Sequence, residues 1–102
     1  MYVVTVVFEP KPEHSDAFRV AMLDNARASR ETEPGCRQFD VCADPATGTI
    51  FLYEVYDDRA AFAAHVAADH FKAFDAATRD WVARKDVRLY ERIAPQASRA
   101  GP

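Results

Sequence analysis

Glycine is scarce: the chain has three, at positions 35, 48 and 101. That excludes glycine-rich phosphate cradles, because the P-loop and the dinucleotide fingerprint each need several glycines close together at a strand-to-helix turn. Cysteine is scarcer still. Cys36 and Cys42 lie in one strand-like segment, which at roughly 3.3 Å per residue would separate their α-carbons by about 20 Å. A disulfide needs roughly 4.4–6.8 Å, and the spacing matches no zinc motif, so both read as packing residues. No apolar run reaches membrane-spanning length. With 49% apolar and 28% charged residues, the composition is too hydrophobic for disorder and too charged for a membrane protein. One-sided charge is absent too: the net charge is −3, the basic residues are scattered, and nothing resembles a nucleic-acid footprint. The mildly basic run from Arg79 to Arg92 reads as a solvated face. Met1 leads straight into an apolar strand-like segment, with neither the basic n-region nor the cleavage site of a secretory signal. The expected location is therefore the cytoplasm.

What is present is enough for one core, since a chain of 102 residues buries roughly 60–70% of its unfolded surface. Tyr2 to Glu9 alternates, with Tyr2, Val4, Val6 and Phe8 on one face and apolar residues on the other as well. That pattern predicts a central strand covered on both sides. Pro10 and Pro12 break it. From Glu13 the period becomes helical, with Phe18, Ala21, Met22, Asn25 and Ser29 on one stripe, and Pro34-Gly35 stops the helix. Cys36 to Ala43 and Thr49 to Tyr56 read as strands joined by the turn Asp44-Pro45-Ala46-Thr47-Gly48, and should pair antiparallel. Asp57-Asp58 offers an N-cap for a helix opening at Arg59, and Asp69 offers another before His70, so Asp58 to Ala83 is expected as two helical pieces. Phe71, Phe74, Thr78, Trp81 and Val82 make the stripe of the second. Lys85 to Ile93 is the last strand, and residues 95–102 are a polar tail outside the domain at 1–94, expected to be mobile or held by a neighbour.

Strand, helix, strand, strand, helix, strand is the split βαβ order of a ferredoxin-like α+β fold: βαββαβ, a four-stranded antiparallel sheet with helices on one face. The other face is then bare yet apolar, and a bare apolar face predicts a partner. A second copy of the chain about a two-fold axis, a homodimer, is the simplest one.

Five polar residues stand where chemistry could use them. Asn25 occupies the middle of the first helix's apolar stripe, where a buried amide needs partners; it either bonds a neighbouring backbone group or points into a cavity. Ser29 faces the same way one turn on, and a helix hydroxyl can bond a preceding carbonyl. Glu54 shares a strand face with Ile50, Leu52 and Tyr56, so it is either a desolvated carboxylate with a raised pKa, suited to proton transfer, or a rim residue paired with Arg37 or Arg88. His65 flanks the inward face of the short helix, as a base, a donor or a structural imidazole. His70 follows at a helix start, and His14 reads as surface. No metal site is expected, because His65 and His70 lack the i, i+4 spacing that puts two imidazoles on one helical face.

Several linked stretches from Tyr2 to Ile93 resemble the antibiotic biosynthesis monooxygenase (ABM) family of small dimeric α+β barrels: Asn25-Ala26-Arg27-Ala28-Ser29, Glu33-Pro34-Gly35-Cys36-Arg37-Gln38-Phe39-Asp40-Val41, Tyr53-Glu54-Val55-Tyr56 and His65-Val66-Ala67-Ala68-Asp69-His70-Phe71. The last two are similar to the branch holding quinol monooxygenases and a phosphorylated-autoinducer isomerase. The resemblance implies an enzyme without metal, flavin or other cofactor, acting on a small quinol, phenolic or polyketide-like molecule with dioxygen in a pocket between sheet and helices. It implies His65, Glu54 and Asn25 as catalytic residues and His70, Ser29, Tyr53 and Phe39 as substrate-binding ones. Haem degradation, which in related proteins pairs an Asn with Trp and His in another arrangement, is not expected, since the one tryptophan is Trp81, late in the second helical piece. An isomerase of a small hydroxyketone working through an enediolate needs the same base and oxyanion partner, and a non-catalytic ligand-binding module remains open because fold does not guarantee activity.

Overall fold

A computed structural model describes residues 1–95. It follows the order β1 (Tyr2–Pro10), α1 (Ser15–Thr32), β2 (Cys36–Ala43), β3 (Ile50–Tyr56), α2 (Arg59–Ala67), α3 (Asp69–Thr78) and β4 (Val82–Glu91), with short 3-10 turns at Pro12–His14 and Arg79–Trp81. The boundary drawn at residue 94 has too little described chain beyond it to be checked, and the tail at 96–102 lies outside the described residues.

The sheet is antiparallel throughout, in the order β2-β3-β1-β4. β1 is central, as its two apolar faces require: its amides and carbonyls are taken up by β3 on one side and β4 on the other. Register fixes the faces. Val4 lies opposite Glu54 and Leu89, Val6 opposite Leu52 and Val87, and Phe8 opposite Ile50 and Lys85. Successive strand residues point to opposite faces, so all of these share one face. α1 packs onto that face through Phe18, Met22, Asn25 and Ser29 of the stripe read from the sequence, joined by Ala26, while Ala21 is only partly buried against the core. Phe18 sits at the centre of the core, its ring tilted against Phe8 at 5.0 Å and edge-on to Phe74 at 5.8 Å. Such aromatic pairs add to the roughly 1.5–3 kcal/mol that burying one apolar side chain contributes.

Helix ends match local chemistry with one exception. Asp58 caps α2, its Oδ1 accepting from the Ala61 amide at 2.8 Å. Asp69 does not cap α3; Ala68 holds the cap position in extended conformation, and Asp69 is the first helical residue. Trp81 and Val82 leave the helical stripe, because α3 ends at Thr78 and the chain passes through a 3-10 turn into β4. β4 thereby starts three residues earlier than Lys85. The free thiols of Cys36 and Cys42 are, respectively, buried and exposed.

Candidate active site

The stop at Pro34-Gly35 positions the first acidic group. α1 ends with Glu33 in extended conformation as its C-cap, so the side chain of Glu33 turns from the helix end toward α2 and α3. Gly35 is needed here: a Cβ at this position would lie 2.5 Å from the Ala61 Cβ of α2. The close approach of the loop to α2 brings Glu33 to His65, whose Nδ1 donates to Glu33 Oε2 at 2.9 Å. His70 Nε2 donates to the same oxygen at 2.5 Å. Ser29 completes the cluster. Its hydroxyl donates to the Asn25 carbonyl at 2.8 Å and lies 3.5 Å from His65 Nδ1 and 3.2 Å from His70 Nε2.

The spacing argument against joining His65 and His70 holds only within one continuous helix, and the two residues lie on the two separate helical pieces that the sequence predicts. The chain breaks at Ala68, whose ψ of 148° ends α2 and restarts the chain as α3, so the two imidazoles converge on one carboxylate although they lie five residues apart. The Glu33, His65 and His70 ligand atoms all lie within 4.8 Å of one another. The expectation that geometry would keep a metal from these histidines is therefore corrected.

On the sheet side of His65 lies a cavity of about 200 Å³, lined among others by Val6, Asn25, Phe39, Glu54, Phe71 and Lys85. It is mostly apolar and smaller than the roughly 300–1,000 Å³ of drug-sized sites. Glu54 is 3% exposed and takes no arginine partner: Arg37 pairs with Asp57, and Arg88 with Asp86. It accepts instead from the Tyr56 hydroxyl at 2.5 Å. Burial pushes its pKa up to about 7, against the lowering effect of the Tyr56 hydrogen bond. The Tyr56 phenol is in turn driven well above its ordinary range by burial and by the neighbouring carboxylate. His65, 2% exposed, is held below the ordinary imidazole value by burial, with Glu33 opposing that effect. With Nδ1 donating to Glu33, Nε2 is an acceptor and is the nitrogen left to act in the cavity that the ring lines.

Asn25 lines the cavity too, and among the described residues its Oδ1 is a buried side-chain atom with no hydrogen-bond partner. Of the two readings open for Asn25, the structure favours the cavity-facing one. An orphaned buried amide oxygen costs about 1–3 kcal/mol, which a ligand donor would relieve.

The other expected residues divide. Phe39 lines the cavity, its ring 5.9 Å from that of His65. Ser29 and His70 stand behind His65, on the far side from the cavity, and His70 borders a shallow groove between α1 and α3. Tyr53 is not brought to the site at all. It is paired with Thr5, one residue out of phase with Glu54, so it points to the opposite face of the sheet. Two residues were missed. Glu33 stands beside the Pro34-Gly35 helix stop and opens one of the stretches of the family resemblance, but it was given no role there. Lys85 lies opposite Phe8 in the register, its Nζ 5.4 Å from the Phe8 ring centroid, and is the cation of the cavity. Arg27 and Arg37 are engaged with Asp24 and Asp57 on the surface. Starting the strand at Val82 and pairing it with β1 is what reveals the inward phase of Lys85.

The structure thus joins a ferredoxin-like domain, a buried histidine–carboxylate pair and a small, mostly apolar cavity. Comparison with known proteins identifies the family. Residues 1–77 match the antibiotic biosynthesis monooxygenase (ABM) family model, and the chain belongs to that family. It is 32% identical over 69 residues, 68% of this chain and 67% of the relative, to a Mycobacterium tuberculosis protein named "Putative monooxygenase Rv0793". The solved structure of Rv0793 superposes with a TM-score of 0.86 at 26% identity, over 95% of this chain and 98% of that one. A structure described as "Putative antibiotic biosynthesis monooxygenase from Nitrosomonas europaea" gives a TM-score of 0.85 at 30% identity, over 91% of this chain and 99% of its own. Among the described residues no helix is long and apolar enough to cross a membrane.

Proposed function

We propose that the chain is a cofactor-independent monooxygenase for a small quinol, phenolic or polyketide-like substrate, with His65 as the base. The observation that carries this reading is the His65 Nδ1–Glu33 contact of 2.9 Å beside an apolar cavity. A carboxylate behind an imidazole fixes the tautomer and stabilises the imidazolium that forms when the other nitrogen takes a proton. His65 Nε2 removes a proton from a phenolic oxygen or an activated ring methylene. Lys85 and the Asn25 amide, turned to donate, stabilise the resulting anion. The anion gives one electron to dioxygen, and the radical and superoxide join at a ring carbon to form a carbon–oxygen bond. The imidazolium returns its proton to the peroxide. Loss of the second hydrogen of that carbon as a proton, with cleavage of the oxygen–oxygen bond, leaves a carbonyl and water. All four electrons come from the methylene, so no external reductant enters. Glu54, with its pKa near neutrality, suits the second proton transfer.

The same pair of groups favours a second reading. His65 and Glu54 line one cavity, as an isomerase moving a proton between adjacent carbons of a hydroxyketone would need, and Lys85 offers one cation to an anionic substituent. The apolar lining favours the aromatic substrate. A homodimer is part of the proposal: Phe51 and Tyr90, 39% and 47% exposed, lie with Val7 and Tyr53 on the sheet face away from the helices.

Enzyme and binding module separate under substitution. His65→Ala and Glu54→Gln should each collapse turnover of a ligand that still binds; turnover unchanged in both would refute the assignment of these residues.

A further inference from the structure

Glu33, Ser29, His65 and His70 do more than orient one base. We propose that Glu33, His65 and His70 bind one divalent transition ion of the zinc class, and that its binding silences His65 as a base. The ligand set is two imidazoles and a carboxylate, a donor combination suited to Zn²⁺ and its neighbours in the first transition row. The distances are close to what an ion needs. Around a tetrahedral ion with bonds of about 2.0–2.2 Å, ligand atoms lie about 3.3–3.6 Å apart. The Glu33 oxygen is now 2.9 Å from His65 Nδ1 and 2.5 Å from His70 Nε2, and the three ligand atoms lie within 4.8 Å of one another, so to admit the ion the carboxylate backs away by about 1 Å or less and the two imidazoles swing in to the same tetrahedral separation. Ser29 Oγ, at 3.5 and 3.2 Å from the two nitrogens, already stands at a fourth ligand's distance. Its proton goes to the Asn25 carbonyl, which leaves its lone pairs toward the cluster. The His70 side chain is 22% exposed and gives the ion a way in from the groove between α1 and α3, without crossing the cavity.

Silencing follows from counting protons. A neutral imidazole carries one N–H. While Nδ1 of His65 donates to Glu33, Nε2 is free to accept. An ion on Nδ1 takes that lone pair, and the ring's one proton must then sit on Nε2, where it blocks proton abstraction in the cavity. His70 undergoes the converse exchange, its proton moving from Nε2 to Nδ1. No net proton is lost, and the cavity-facing nitrogen changes from acceptor to donor. This second half rests on His65 being the base; the binding half does not.

The test uses the full chain stripped of metal, titrated with Zn²⁺ and, for its visible bands, Co²⁺, with ¹⁵N NMR of the histidine rings in the zinc-loaded protein. Wild type should take up one ion per chain, and His70→Ala and His70→Gln should each weaken binding by about 100-fold or more, since even outer partners of a metal site are worth 10–100-fold. In the zinc form the proton of His65 should be on Nε2. No stoichiometric uptake, or undiminished uptake by both variants, would overturn the site. A zinc form that keeps the proton on Nδ1 of His65 would overturn the silencing. None of these readouts needs a substrate, so failure here leaves the oxygenase reading standing, and failure of that reading leaves the ion site standing.

Discussion

Replacing Glu54 by glutamine should stabilise the protein at alkaline pH and leave it nearly unchanged at acid pH. Glu54 is buried among apolar side chains, and its pKa rises from the ordinary 4.5 to about 7. Between those two values the folded chain holds a proton that the unfolded chain has released, so stability falls as pH rises, at about 1.4 kcal/mol per pH unit. Over this interval the loss approaches about 3 kcal/mol and is complete above pH 7. Glutamine has nearly the same volume and still accepts from Tyr56, but it has no proton to lose. His65 titrates in the same range with the opposite sign: its folded pKa lies below the unfolded one, so it destabilises on acidification. Because both proteins carry His65, its contribution cancels in their difference. Urea unfolding of wild type and Glu54→Gln from pH 4 to 9 measures that difference directly. It should be near zero below pH 4.5 and grow to about 3 kcal/mol in favour of glutamine above pH 7. Parallel curves would mean that the carboxylate titrates normally, and would refute the desolvated site on which the proton chemistry of Glu54 depends.

Other consequences are equally direct. Gly35→Ala should cost about 1–3 kcal/mol in thermal or urea unfolding, because the new methyl overlaps the Ala61 Cβ. Glu33→Gln should lower kcat much more than it alters KM. It should also move the acid limb of the pH–rate profile to lower pH, since the carboxylate raises the His65 pKa against burial. Light scattering at micromolar concentration should give twice the 11.4 kDa chain mass; a value at the monomer would exclude the dimer.

The fold was legible because its signals are local and periodic. The alternation of Tyr2, Val4, Val6 and Phe8 sets the central strand. The stripe through Phe18, Met22, Asn25 and Ser29 sets the face of α1, and Asp58 marks the start of α2. The site was legible only where a polar residue interrupted such a pattern, as Asn25, Glu54 and His65 do. Glu33 and Lys85 interrupt nothing. One sits past a helix end and the other near the start of an edge strand, and their roles come from long-range pairing. Tyr53 fell on the wrong side because a motif names neighbours in sequence, whereas a strand sends neighbours to opposite faces. Asp69 signals a second helical piece, but the convergence of His65 and His70 depends on how the break at Ala68 turns one piece against the other, which no local pattern carries.

Oxygen uptake distinguishes a cofactor-independent oxygenase with His65 as its base from the alternatives. Metal-stripped protein would be given a panel of quinols and anthrones under ¹⁸O₂, beside His65→Ala. Uptake of one dioxygen per substrate is expected, with one labelled oxygen in the product and a fall of about 10²–10⁴-fold in the variant. Unlabelled product, or uptake that survives loss of His65, would contradict that expectation.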